Sequence, residues 1–232
     1  MMKRILTGIF LLGLAVLVLG ACSKDSSEGN AEKEKKEDLV ATVNGEGISK
    51  QQYEKELEAM KATYEQQGIA ADQMDSKMKE ALEKSVLDQM INAELVLQTA
   101  EKDGISIEQK EVDAELEKIK ANFEDEKKFK EALKKNELTE NKLKDQLQKQ
   151  MTVTKYLDSK IGKIEATDQE IQALYDQYKQ QTESQKQEPE ALEKMKPQLE
   201  QQIVSEKENE KFNKLVEELR KDNEDKVKII GA

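Results

Sequence analysis

One thiol, at Cys22, stands in a chain that has no histidine. Together these bound the chemistry. Ser-His-Asp and Cys-His catalysis need an imidazole to carry a proton near neutral pH, and histidine zinc sites need the same ring as a ligand, so these classes are excluded. A single cysteine leaves no intramolecular disulfide and no resolving thiol. Carboxylates are abundant, 49 Asp and Glu in 232 residues, and pairs such as Glu115 and Glu117 arise by chance at that density. Nothing near them marks a desolvated pocket that would shift a carboxyl group. Gly45-Glu46-Gly47 is a lone G-x-G without the third glycine of a dinucleotide loop, and no phosphate-loop run exists. No catalytic residue, cofactor or metal is assigned. What remains is apolar chemistry, in Met60, Met74, Met78, Met90, Met151 and Met195. A methionine-bearing groove accepts many side-chain shapes because the side chain is unbranched and polarisable. Met90 and Met151 sit inside strong apolar stripes and read as core. Met60, Tyr64, Met74 and Met78, beside the turn at Gly68, are the candidate contacts for a partner's apolar segments, with gap-filling core as the competing reading.

The N-terminus has its own pattern. Lys3 and Arg4 precede an apolar run from Ile5 to Leu19, the length of a secretory h-region and short for a membrane span. It is followed by Leu19-Gly20-Ala21-Cys22, which resembles the lipobox of bacterial lipoproteins. The resemblance implies that residues 1–21 are removed and that Cys22 carries diacylglycerol as the new N-terminus. Two acyl chains, at about 0.8 kcal/mol per buried methylene, anchor stably where one would be marginal. The expected location is the cell membrane, lipid-anchored on the extracytoplasmic side. Without Lys3 and Arg4, 36 basic residues face 49 acidic ones, a formal charge of −13. That disfavours nucleic acid as a partner, since phosphate binding needs clustered positive charge.

Residues 22–38, the lipidated cysteine and a run of Ser, Glu and Lys, cannot bury a core and read as a disordered tether. The folded part is expected over residues 39–232. It opens on Leu39 to Ser49, where strand-forming Leu39, Val40, Thr42 and Val43 lead into Asn44-Gly45, a pair suited to a tight turn. Ser49 with Gln52 forms a capping box, and Tyr53, Leu57, Met60 and Tyr64 then recur at helical spacing up to Gly68. Asp72 or Asp75 starts a second helix, most apolar from Val86 to Leu97 and stopped at Gly104. Ser106, through Gln109, is expected to cap a third. Phe129, Ala132 and Leu133 mark a short helix, Thr139 opens the next, and Thr167 with Glu170 opens another through Tyr178. Gln180 to Glu188 reads as a loop, and Pro189 and Pro197 as bracketing the start of a final helix. Val227 to Ile230 is the other β-like run. The fold class is mainly α: a multi-helix domain closed by a two-stranded pairing of its first and last segments.

Three stretches, taken in order, resemble the N-terminal chaperone module of the SurA and PrsA family of extracytoplasmic folding factors. They are Val40 to Ser49, Leu87 to Asp113, and Leu215 to Ile230. The resemblance implies a membrane-anchored, ATP-independent holdase whose partners are unfolded or newly translocated polypeptides; the alternative is an envelope scaffold with one dedicated partner. Many family members carry a parvulin prolyl isomerase domain between helices like those at Thr167 and Leu215. Here that space holds about ten polar residues, too few for an independent core. Parvulin sites also use paired histidines, so isomerase activity is not expected.

Overall fold

The computed structural model describes residues 38–70 and 73–231. Cys22, the leader and the tether up to residue 37 lie outside them. By its contacts the described chain divides into two units, one of residues 38–156 with 219–231 and one of residues 157–218.

The first unit begins with strand β1 (Leu39–Val43), which turns through Asn44 and Gly45 into strand β2 (Glu46–Ser49). Both turn residues have positive φ, 52° and 92°, the combination that matches the twist of a two-residue hairpin. Strand β3 (Val227–Ile229) pairs antiparallel with the other edge of β1, so the sheet order is β2-β1-β3. The ends therefore meet as expected, but in three strands rather than two. Only Ile48 of β2 is buried, while Glu46 and Gly47 are exposed, so that strand carries almost no apolar signature. At Gly47 a Cβ would come within 2.7 Å of the terminal methyls of Leu39, so a larger residue there would make that side chain shift.

Helix α1 (Lys50–Gln66) starts at Ser49. The Ser49 hydroxyl accepts from the Gln52 N–H, and the Gln52 side chain accepts from the Ser49 N–H. Helix α2 (Ser76–Lys102), capped by Asp75, is the hub. Val86, Leu87, Met90, Ile91, Leu95, Val96, Leu97 and Ala100 are all buried, which is more than one face of a helix can supply to a single neighbour. Its stretch from Leu82 to Leu95 joins Val40, Ala41, Val43, Ile48, Tyr53 and Leu57 in one cluster. Helices α3 (Gln109–Lys120), α4 (Glu126–Lys135) and α5 (Glu140–Ile161) build a second cluster around Phe129, Leu116, Val112 and Leu147. The cap of α3 falls two residues later than expected: Glu111 accepts from the Glu108 N–H. Ser106 has its carbonyl engaged by Lys155 Nζ at 3.0 Å, and Ile107 is buried in the second cluster, so the chain is still anchored there and the helix cannot begin.

The second unit is built by helices α6 (Asp168–Ser184) and α7 (Leu192–Asp222), and the division between the units falls within α5 and α7. Its core is Ile171, Leu199 and Ile203. Lys207 binds the Glu170 carboxylate and the Glu165 carbonyl, and Glu170 also closes the Thr167 capping box. The Lys207 ammonium beside it and the Thr167 donors hold the Glu170 carboxyl down at about 2. One expectation is corrected here. Helix α6 runs on to Ser184, so the loop is confined to residues 185–191. Pro189 and Pro197 do bracket the start of α7 at Leu192, with Pro197 a turn and a half inside the helix, and the N–H groups of Lys194 and Met195 donate to Ala191. The Tyr175 hydroxyl donates to the Glu190 carbonyl and the Tyr178 hydroxyl accepts from the Glu190 N–H, so one residue of the short loop is held at both backbone groups.

Candidate functional site

The connection from α1 to α2 positions the candidate apolar contacts. Helix α1 ends on Gly68, whose φ of 87° lets the Ile69 N–H reach back to the Tyr64 carbonyl. That reversal brings Ile69 and Tyr64 against the first cluster together with Met60, all three half-buried. Met74 goes further in. It is 4% exposed and belongs to the core, where an adaptable side chain fills space. Met78 points outward at 44% exposure, its N–H held by Asp75 Oδ1 at 2.7 Å in the first turn of α2. The four residues singled out in the sequence thus gather at one end of the α1–α2 pair in three different states of access. On the same stripe of α1, Glu56 has its carboxyl pushed up by burial.

A second exposed apolar surface escaped the sequence reading. Among the described residues Ile229 and Ile230, 64% and 55% exposed, join Met78 as large apolar side chains open to solvent. The signal for them was available: successive residues of a strand point to opposite faces, so two adjacent isoleucines cannot both face one core.

Polar side chains tie the sheet to α2. Gln98 donates to the Val43 carbonyl at 3.0 Å and to the Glu94 carboxylate at 2.5 Å, and accepts from the Asn44 amide at 2.8 Å. Asn44 is the turn residue with φ 52°, so this network fixes the hairpin from outside the ladder. Glu94 itself is only 5% exposed. Burial pushes its carboxyl up. The Gln98 donor and the Lys149 charge pull against that, while Glu46 and Glu101 add to it. An acid raised in the folded state binds its proton more tightly there than in the unfolded chain, so stability is greatest below the ordinary glutamate value and is lost as pH rises through the folded value. Glu94→Gln keeps an acceptor for Gln98 and removes the buried charge. It is expected to raise Tm at pH 7 by roughly 2–4 °C, the shift that about 1 kcal/mol makes in a chain this size. The difference should disappear below about pH 4, where Glu94 is protonated in both states. A lower Tm for the variant at pH 7 would mean that attraction to Lys149 outweighs desolvation.

The far end of α7 is fastened by Arg220. Its Nε donates to Asn92 Oδ1 at 2.6 Å, and its Nη2 donates to the Asp88 carbonyl and carboxylate at 3.1 and 2.8 Å. The fork spans a full turn of α2, which a lysine ammonium could not match. Among the described residues no group of three or more His, Cys, Asp and Glu side chains is placed to hold a metal ion. Nor, among them, is any helix long and apolar enough to cross a membrane.

A helical body with a terminal strand pair is a common enough plan that its identity needs sequence support. The family described as SurA-like N-terminal domain matches residues 1–157. This chain belongs to that family. Among curated relatives, the foldase protein PrsA of Clostridium botulinum strain 657 is 27% identical over 186 residues, covering 75% of this chain and 54% of its own length. The foldase protein PrsA of Caldanaerobacter subterraneus subsp. tengcongensis is 28% identical over 149 residues, covering 62% and 44%. The chain thus spans about half the length of the curated relatives it matches. The SurA-like match ends at the position where the contacts divide the described chain, so β3 and α7 lie beyond it.

Proposed function

We propose that this protein is a membrane-anchored, extracytoplasmic, ATP-independent chaperone of the holdase type, acting on unfolded or newly translocated polypeptides and without prolyl isomerase activity. Membership of the SurA-like N-terminal domain family carries the reading. Relatives named as foldases and two exposed apolar surfaces, at Met78 and at Ile229–Ile230, support it. Client affinity would come from apolar area removed from water, about 25 cal/mol per Å², and the acidic surface would keep a loaded complex in solution. Met60, Tyr64 and Met78 are the residues of the α1–α2 end open to a client, with Met74 beneath them as support. The absence of histidine and the seven-residue connection at 185–191 support the exclusion of isomerase chemistry. The domain organisation proposed is a leader over residues 1–21, an anchor and tether over 22–38, and a chaperone body from 39 onward.

The test is light scattering of several unrelated, chemically unfolded proteins diluted into ATP-free buffer, with and without the full chain held in phospholipid nanodiscs. Dose-dependent suppression for most of them is the expected result. Suppression for none would overturn the holdase reading in favour of a scaffold with one dedicated partner. Anchoring has a separate test. Cys22→Ala is expected to abolish incorporation of labelled fatty acid, and retained label would refute the lipobox assignment.

A further inference from the structure

The hydrogen bonds of β3 alternate in a way that fixes which of its backbone groups are in use. The Asn44 N–H donates to the Lys226 carbonyl at 3.1 Å, and the Ile230 N–H donates to the Val40 carbonyl at 2.8 Å. Between them Lys228 stands opposite Thr42. Residues 226, 228 and 230 therefore face β1, and the backbone groups of Val227 and Ile229 face the other way, since an antiparallel pair bonds only every second residue on each side. The Val227 N–H is taken by the Asn223 carbonyl at 3.2 Å. Among the described residues no strand lies beyond β3, which leaves the Val227 carbonyl and both polar groups of Ile229 aimed at the open edge of the sheet.

The side chains on that edge are apolar where solvent would favour polar ones. Val227 packs against the core, but Ile229, two residues on and on the same face, is 64% exposed, and Ile230 on the opposite face is 55% exposed. Edge strands are commonly blunted by lysine, and Lys226 and Lys228 could serve that purpose alone. Blunting does not account for two exposed isoleucines in the same five residues. Both features are met if the edge receives a strand whose side chains cover the isoleucines and whose charges are negative.

We propose that the open edge of β3 captures an extended, apolar, acid-bearing stretch of unfolded polypeptide by adding it as a fourth strand of the sheet. The proposal rests on the holdase reading and names its docking element. Main-chain pairing supplies attraction without demanding a particular sequence, which suits clients that share little but being unfolded. Charge decides against a second copy as the occupant: pairing β3 with itself would set Lys226 and Lys228 of both chains along one seam, and like charges across a strand pair repel. Glu224 and Asp225 precede Lys226 on a short 3-10 turn, so the positive charge at this edge is confined to Lys226 and Lys228.

The experiment uses the full chain in nanodiscs and a fluorescein-labelled heptapeptide of alternating Val and Thr with Glu at both ends. Anisotropy is read for that peptide and for the same peptide N-methylated at alternate amides, which leaves its side chains intact and removes one row of donors. Methylation is expected to weaken binding at least roughly tenfold, a loss of about 1.4 kcal/mol. Ile229→Pro should do the same, because the N–H it removes is the outward one and the ladder with β1 stays intact. Unchanged circular dichroism establishes that the variant folds. Lys228→Glu should reverse the preference toward a Lys-ended peptide. Equal binding of the two peptides, or no binding of the plain one, overturns the proposal. Running the scattering assay on Ile229→Pro separates the two failures. Full suppression by both proteins keeps the holdase and removes the edge, whereas peptide capture without suppression by wild type keeps the edge and removes the holdase.

Discussion

Phe129→Ala is expected to lower the unfolding free energy by about 3–5 kcal/mol, the usual cost of emptying a large aromatic site in a core. Phe129 is 2% exposed and sits at the centre of the α3–α5 cluster. Its ring meets Phe123 edge-on, with centroids 5.5 Å apart and planes at 69°, and Lys120 Nζ lies 5.6 Å from its centre. Removing it takes an aromatic partner from Phe123 and leaves a void between α4 and the other two helices. Helix α4 has ten residues, too few to be stable without that anchor. Tm should fall by roughly 6–20 °C. The loss should also be local: amides of α3, α4 and α5 are expected to exchange faster while those of β1, in the other cluster, change less. A loss under about 1 kcal/mol would show that the cluster is held by its rim rather than by this ring.

The readable parts of this fold were those with a dedicated residue type. Asn44-Gly45 announced a tight turn, Ser49 with Gln52 and Thr167 with Glu170 announced helix starts, and Gly68 and Gly104 announced helix ends; all five features stand where the sequence put them. Two other helices end in the same geometry without glycine. Glu137 and Lys186 hold φ of 56° and 58°, and the Leu138 and Gln187 N–H groups reach back to Leu133 and Thr182. Each is a Schellman reversal made by a residue that bears the strain of a Cβ at positive φ, so composition alone carried no sign of it. That is why α6 was expected to stop near Tyr178 and instead continues to Ser184. The run from 180 to 184 is polar, but polar residues such as Gln and Glu tolerate a helix well. Strand β2 was missed as a strand for a related reason: half its residues are Glu46 and Gly47, and pairing with β1 rather than burial holds them. For the candidate contacts, spacing placed Met60, Tyr64, Met74 and Met78 at the α1–α2 end but could not rank access within it. Whether a methionine at a helix approach faces in or out depends on the tertiary partner, and Met74 and Met78, four residues apart, are 4% and 44% exposed.

Ending the chain after Lys226 is expected to cost about 3 kcal/mol and to make the protein aggregate by itself. The first effect is counted from the ladder. The Ile230 bond to Val40 is lost together with the pairing of Thr42 with Lys228, and Val227 leaves the edge of the core. Each exchanged hydrogen bond is worth roughly 0.5–1.5 kcal/mol, and the half-buried valine adds about 1 kcal/mol. A Tm lower by roughly 6–12 °C is the measurable form. The second effect follows from which strand is then left at the edge. β3 is short, charged and already solvated, but β1 behind it is apolar, with Val40, Ala41 and Val43 at 1%, 0% and 0% exposure. Stripped of its cover, β1 presents a row of unpaired donors and acceptors beside three aliphatic side chains, the composition that templates uncontrolled strand addition. Ile229→Pro leaves β1 covered and should not aggregate. A truncated chain that stays monomeric at unchanged Tm would mean that β1 is protected by something other than β3, and the closure of the fold by its two ends would have to be abandoned.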